Sequence, residues 1–111
     1  MEKFLNKELA VRFVCTDELR RYMDRKGRRV ISVEVAQSNA SDFEVSELFL
    51  RLVTDDFARY LKDKKRYRGF PLEGGGEVLM PPYRLETEET VTFGREKKWI
   101  FPVLTIKGIH F

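Results

Sequence analysis

The feature that most constrains this chain is an eight-residue phrase that occurs twice. Thr16-Asp17-Glu18-Leu19-Arg20-Arg21-Tyr22-Met23 and Thr54-Asp55-Asp56-Phe57-Ala58-Arg59-Tyr60-Leu61 share Thr, Asp, Arg and Tyr at matching places. An alternating apolar run precedes each copy: Leu9, Val11, Phe13 and Cys15 before the first, Leu48, Leu50 and Leu52 before the second. Side chains two apart on a strand share a face, so each run predicts a strand with one apolar side. The Thr then stands at an N-cap, its hydroxyl accepting from a free first-turn amide, and the acids after it sit where the helix dipole favours negative charge. Each unit reads strand, cap, helix.

The first strand is predicted over 8–15, after a frayed lead-in at 1–7, with Arg12 facing away from its apolar side. Leu19, Tyr22 and Met23 share one helical face, Gly27 supplies the stop, and Arg25, Lys26 and Arg28 complement the carboxyl end. Alternation predicts a second strand over 29–37, and Ser38-Asn39-Ala40-Ser41-Asp42 a turn. Two readings compete after it. Val45, Leu48, Phe49, Leu52, Val53, Phe57, Tyr60 and Leu61 fit one long helix over 43–65. The start signal Thr54-Asp55-Asp56, and the match of 48–53 to 9–14 in the repeat, favour a strand over 43–53 and a helix over 54–65.

Beyond Arg68 no helical pattern follows. Gly69-Phe70-Pro71 predicts a turn, 71–77 a flexible loop around three glycines, and Pro81-Pro82 a stiff connection. A short edge strand is expected over 77–80, a polar one over 87–93, and a stronger one over 99–106 that tolerates Pro102 only at an edge or bulge. The expectation is a single α+β domain over 1–111: two strand-helix units plus a β-rich carboxyl-terminal part, with five to six strands in mixed, mostly antiparallel sheets.

A chain of 111 residues buries a core without disulfide or metal staples, and 42% hydrophobic with 35% charged residues places it among ordered globular domains. One cysteine closes no intramolecular disulfide, and the amino terminus lacks an apolar stretch of signal-peptide length, so a reducing cytoplasm is the expected compartment. No apolar run approaches the roughly 20 residues of a membrane helix, so no membrane span is expected. The net charge of +3 is too small to argue for a polyanionic partner, but its distribution is uneven. Residues 20–29 carry six basic groups against Asp24, and residues 59–68 carry six against Asp63, so both helices end in positive charge.

Chemistry has few candidates. Asp17 with Glu18, and Asp55 with Asp56, are read as helix-end electrostatics rather than acid–base pairs, because both copies sit at helix starts. His110 is the single histidine, the penultimate residue, at a carboxyl end that must fold back before it can join a triad. Cys15 is read as a packed, inert thiol; the alternative is a reactive one activated by the adjacent helix start. Gly74-Gly75-Gly76 lacks the following helix and Lys-Ser/Thr pair of a phosphate loop. No catalytic residue, cofactor or metal is therefore expected. The candidate interaction residues are Arg21 and Arg59, the arginines of the doubled phrase without a structural duty, and Lys64, Lys65, Arg66, Tyr67 and Arg68 at the second basic end, with Phe70 as a further stacking group. Glu86, Glu88 and Glu89 form an acidic cluster able to answer the basic ends within or between molecules.

The order strand, Thr-Asp cap, helix, Gly, repeated after a second strand and a turn, resembles the HesB-like fold of A-type iron-sulfur cluster carriers. It looks most like the small bacterial relatives that carry a Cys-Cys pair after the second strand. Arg12-Phe13-Val14-Cys15-Thr16-Asp17-Glu18-Leu19, Val30-Ile31-Ser32-Val33-Glu34-Val35 and Leu50-Arg51-Leu52-Val53-Thr54-Asp55-Asp56-Phe57 carry the resemblance. Leu104-Thr105-Ile106-Lys107-Gly108-Ile109 is similar to the relatives' last strand, so the likeness covers about residues 9–70 plus this ending. In that family cysteines hold the cluster, one in the turn after the second strand and two near the carboxyl end. Here the turn is Ser38-Asn39-Ala40-Ser41, and Lys107-Gly108-Ile109-His110-Phe111 has no cysteine. Cluster ligation takes thiolates, normally four. The resemblance implies the fold without the cluster ligands: a non-enzymatic cytoplasmic protein-interaction module. A weak nucleic-acid-binding module using the basic helix ends is the alternative. The oligomeric state and the partner protein stay open at this point.

Overall fold

The computed structural model describes residues 11–40, 43–98 and 101–111. In chain order these form β1 (Arg12–Cys15), α1 (Asp17–Lys26), β2 (Val30–Ala40), β3 (Phe43–Val53), α2 (Asp55–Lys65), β4 (Arg68–Pro71), β5 (Glu77–Met80), β6 (Glu86–Lys98) and β7 (Phe101–His110). The fold is α+β, with the strands in two mixed sheets ordered β1-β6-β7 and β3-β2-β5-β4. The β1–β6 and β2–β5 pairs are parallel; β2–β3, β4–β5 and β6–β7 are antiparallel.

Both copies of the doubled phrase fold as the residues dictate. The hydroxyls of Thr16 and Thr54 accept from the amides of Leu19 and Phe57, each at 3.2 Å. Such a cap contributes about 1 kcal/mol over alanine. Gly27 takes the left-handed conformation at φ 64°, and its amide and that of Arg28 return to the carbonyls of Asp24 and Met23. Residues 43–53 are β3, not the first half of a long helix. They pair with β2 along its whole length, from Val30 opposite Val53 to Ala40 opposite Phe43.

The four-stranded sheet is covered on both faces. Ile31 and Val33 of β2, Leu50 of β3 and Val78 of β5 meet Phe13, Val91 and Phe93 of the other sheet and Leu19 and Met23 of α1 in the main core. On the opposite face Val30, Val53 and Leu79 pack against Ala58 and Leu61 of α2. Full burial of one such aliphatic or aromatic side chain is worth roughly 1.5–3 kcal/mol, so these two clusters supply the bulk of the fold's driving force.

Several expectations are corrected. Gly69-Phe70-Pro71 is not a turn but part of β4, because β5 offers it an antiparallel partner; this raises the strand count to seven. β5 is not an edge strand but lies inside its sheet between β2 and β4, with Val78 and Leu79 fully buried. Residues 38–40 extend β2 instead of turning, and the rest of that predicted turn lies outside the described residues. β6 and β7 are longer than expected; Trp99 and Ile100, like 1–10, lie outside the described residues. Pro102 does sit on an edge strand, β7, opposite Lys97. The register of that hairpin breaks between Thr87 and Thr92, where Gly108 has φ 99° and a Cβ would meet the carbonyl oxygen of Thr90 at 2.6 Å.

The segment 71–77 folds as a turn that hydrogen bonds hold from three sides. The amides of Gly75 and Leu72 close it on Leu72 and Gly76, and Glu73 donates its amide to the carbonyl of Phe13 at 2.8 Å. Arg20 donates to the carbonyls of Glu73 and Gly75, both at 2.8 Å. Arg12 forms a two-pronged ion pair with the exposed Glu73, whose carboxyl this holds below the usual range.

Ser32 is fully buried beside Val30 on the face of β2 that α2 covers, and its hydroxyl has no hydrogen-bond partner among the described residues. An unpaired buried hydroxyl costs about 1–3 kcal/mol. Ser32→Ala is therefore expected to be neutral or to stabilise the fold by up to about 1 kcal/mol in urea denaturation. A loss of similar size would reveal a partner for this hydroxyl.

Candidate functional site

The sequence-selected residues from Lys64 to Arg68 leave α2 and enter β4 around an unusual cap. Arg66 closes the helix in the left-handed conformation, φ 60° and ψ 30°, and is the one non-glycine residue with positive φ among the described residues. The equivalent position after α1 is Gly27. A left-handed backbone costs an L-residue roughly 1–2 kcal/mol, and such strain concentrates at working surfaces. Here it is retained on an exposed cation.

Beside this cap lies a groove of about 440 Å³. α2 contributes Phe57, Tyr60, Leu61 and Lys65, the strands contribute Glu34 and Arg51, and Tyr67, Pro82 and Tyr83 complete the lining. Arg51 is committed within the protein: Glu34 receives two hydrogen bonds from it at 2.7 and 2.9 Å, and its guanidinium carbon lies 4.7 Å from the Phe57 ring centre. Tyr60 leans on Phe57 with ring centres 5.7 Å apart. Tyr60 and Tyr83 are 44% and 61% exposed, so their rings face the groove's solvent side without a covering layer. Lys64, Lys65 and Arg66 are exposed and have no ion pair among the described residues. Tyr67 is half-buried against the second core; burial, then the nearby Glu34 and Tyr83, push its hydroxyl pKa up, so it remains a neutral donor and acceptor at physiological pH.

Tyr83 also borders a smaller hollow of about 180 Å³ lined by Phe13, Phe70 and Arg68. The Arg68 guanidinium covers the Phe70 ring at 5.5 Å, and that ring packs on Phe13 at 5.4 Å. Phe70, expected as a stacking group, is thus taken up by the main core. The two arginines of the doubled phrase do not form one surface patch with a shared helix. Arg21 is exposed on α1, which packs against β6, while Arg59 lies on α2, which packs against β2, 3.8 Å from Asp56.

Tyr60 and Tyr83 escaped the sequence reading. Tyr60 stands in the doubled phrase at the place of Tyr22. Tyr22 is half-buried because Arg95 of β6 covers its ring at 4.4 Å, whereas α2 turns Ala58 and Leu61 inward and leaves Tyr60 outside. Tyr83 follows Pro81-Pro82, a stiff connection that holds an aromatic ring away from the core, and this was the available signal.

Two further acids and the lone histidine have local partners. Glu18 approaches Arg95 at 3.6 Å, and Glu88, one member of the acidic cluster, meets His110 at 2.9 Å. Among the described residues no three His, Cys, Asp or Glu side chains gather as a metal site. Cys15 is half-buried, and burial raises its thiol pKa against the opposing pull of Arg20.

Two measurements follow from this geometry. Arg66→Gly is expected to stabilise the fold by roughly 1 kcal/mol in urea denaturation, because glycine takes the left-handed conformation without strain. Native Cys15 is expected to react with iodoacetamide at pH 7 far more slowly than the urea-unfolded chain, since its raised pKa leaves little thiolate; equal rates would show an activated thiol.

No family model, curated protein or solved structure matches this chain.

Proposed function

We propose that this chain is a non-enzymatic protein-interaction module of HesB-like fold without the cluster ligands, and that it engages its partner through the groove at the carboxyl end of α2. The observation that carries this reading is the pairing of two exposed tyrosines, Tyr60 and Tyr83, with the uncompensated cations Lys64, Lys65 and Arg66 around a strained cap. Tyrosine and arginine are enriched at the centre of protein interfaces because they bring large, rigid contact area and directed hydrogen bonds. The complementary partner presents acidic side chains around an apolar or aromatic anchor. The fold part of the reading rests on the two strand-cap-helix units, and its ligand-free part on the absence of cysteine from 107–111 and from 38–41.

The same groove favours a second reading, single-stranded nucleic acid, because rings for base stacking and cations for phosphate line one surface. Fluorescence anisotropy with a labelled oligonucleotide separates the two. Nucleic-acid binding falls steeply with salt and is lost when Lys64, Lys65 and Arg66 become Glu. A protein partner is instead expected to lose about tenfold or more in affinity on Tyr60→Ala with Tyr83→Ala, and little on Arg21→Glu. Equal losses at Arg21 and at the tyrosines would move the interface away from this groove. Anaerobic reconstitution with iron and sulfide is expected to leave the protein colourless; a stable chromophore with stoichiometric iron would overturn the ligand-free part.

A further inference from the structure

A second cleft, separate from the α2 groove, opens where the carboxyl end of α1 meets the edges of both sheets. It has a volume of about 400 Å³, within the roughly 300–1,000 Å³ of small-molecule sites. Leu50 and Leu52 come from β3, the edge of one sheet, and Leu104 from β7, the edge of the other. The ring of Tyr22 continues this apolar wall, and Lys26 and Arg28 stand on its lining.

The charges are one-sided. No acidic side chain lines the cleft, and neither Lys26 nor Arg28 has a carboxylate partner among the described residues. Among the described residues Arg28 reaches only the carbonyl of Lys26, at 3.5 Å, and the guanidinium of Arg51 is engaged by Glu34. Behind Tyr22 the positive charge deepens. Arg95 lies opposite Leu104 in the β6–β7 register, so the two share a face of the sheet. Its side chain is 15% exposed, and among the described residues its buried Nε has no hydrogen-bond partner and its one ion pair, to Glu18, is long at 3.6 Å. Arg95, Lys26 and Arg25 all approach the Tyr22 ring, at 4.4, 5.7 and 5.8 Å. Asp24, on the same helix, is exposed and forms no ion pair among the described residues.

An inorganic anion would leave the leucine wall wet, and an uncharged alkane would leave the cations unanswered. We infer that this cleft binds a small amphiphilic carboxylate, its aliphatic tail along Leu50, Leu52 and Leu104 and its head held by Lys26 and Arg28. Charge-assisted hydrogen bonds from two cations give the head its orientation, and burial of the tail gives most of the affinity.

The test is a two-dimensional amide NMR titration of the full chain with decanoate kept below its micelle concentration. Acetate serves as the head alone and decanol as the tail alone. Saturable shifts centred on Tyr22, Lys26, Leu50, Leu52 and Leu104 are expected with decanoate, with acetate and decanol both weaker by about tenfold or more. Lys26→Glu with Arg28→Glu is expected to weaken decanoate by a similar factor while the spectrum stays dispersed; if that variant unfolds, Lys26→Gln with Arg28→Gln decides instead. Acetate binding as well as decanoate would reduce the site to a cationic patch. Decanol binding as well would reduce it to an apolar one. Shifts elsewhere, no shifts, or unchanged affinity in the folded variants would overturn the inference.

Discussion

The first four residues of β2, 30–33, are buried on both faces, and the rest of the fold answers to that. Ile31 and Val33 face the other sheet and α1, Val30 and Ser32 face α2, and all four are within 5% exposure of full burial. A strand in that position has no solvent to satisfy its backbone or its side chains, so it needs a partner on each edge and a layer on each face. β3 supplies one edge in antiparallel register and β5 the other in parallel register. The first sheet with α1, and α2 alone, supply the layers.

That arrangement makes the two strand-helix units unequal although their residues are alike. α1 is packed against β6, and Arg95 reaches over Tyr22 from that strand. α2 covers the outer face of its sheet with Ala58 and Leu61 buried and Phe57 half-buried against them, which leaves Tyr60 facing outward. The helix ends differ in the same sense. Gly27 relaxes into the left-handed cap, while Arg66 is forced into it and kept at the surface. The unit that is less covered therefore carries the strain, the exposed tyrosines and the unpaired cations together.

Both proposed sites lie at helix carboxyl ends, where basic residues are expected for electrostatic reasons alone. What distinguishes them from ordinary solvated ends is what stands next to the charge. At α2 it is a pair of aromatic rings left without cover, which suits a macromolecular partner. At α1 it is a wall of leucines between two sheet edges, which suits a tail with a charged head. Arg51 borders both, and its guanidinium is held by Glu34, which lines the α2 groove.

The residues by themselves determined the local units. Thr16 and Thr54 cap helices, Gly27 ends one, and Leu19, Met23, Ala58 and Leu61 turn inward, because capping and helical period are interactions between neighbours in the chain. The choice of strand over helix for 43–53 was also legible, through the repeat. The tertiary structure alone decided that Gly69-Phe70-Pro71 is a strand, that β5 lies inside its sheet, and that Tyr60 is exposed while Tyr22 is covered. Each of those depends on a partner far away in sequence: β5 for β4, β2 for β5, and Arg95 for Tyr22. Similar local phrases carry no information about which distant strand lies over them, so the surface groove is a property of the folded chain alone.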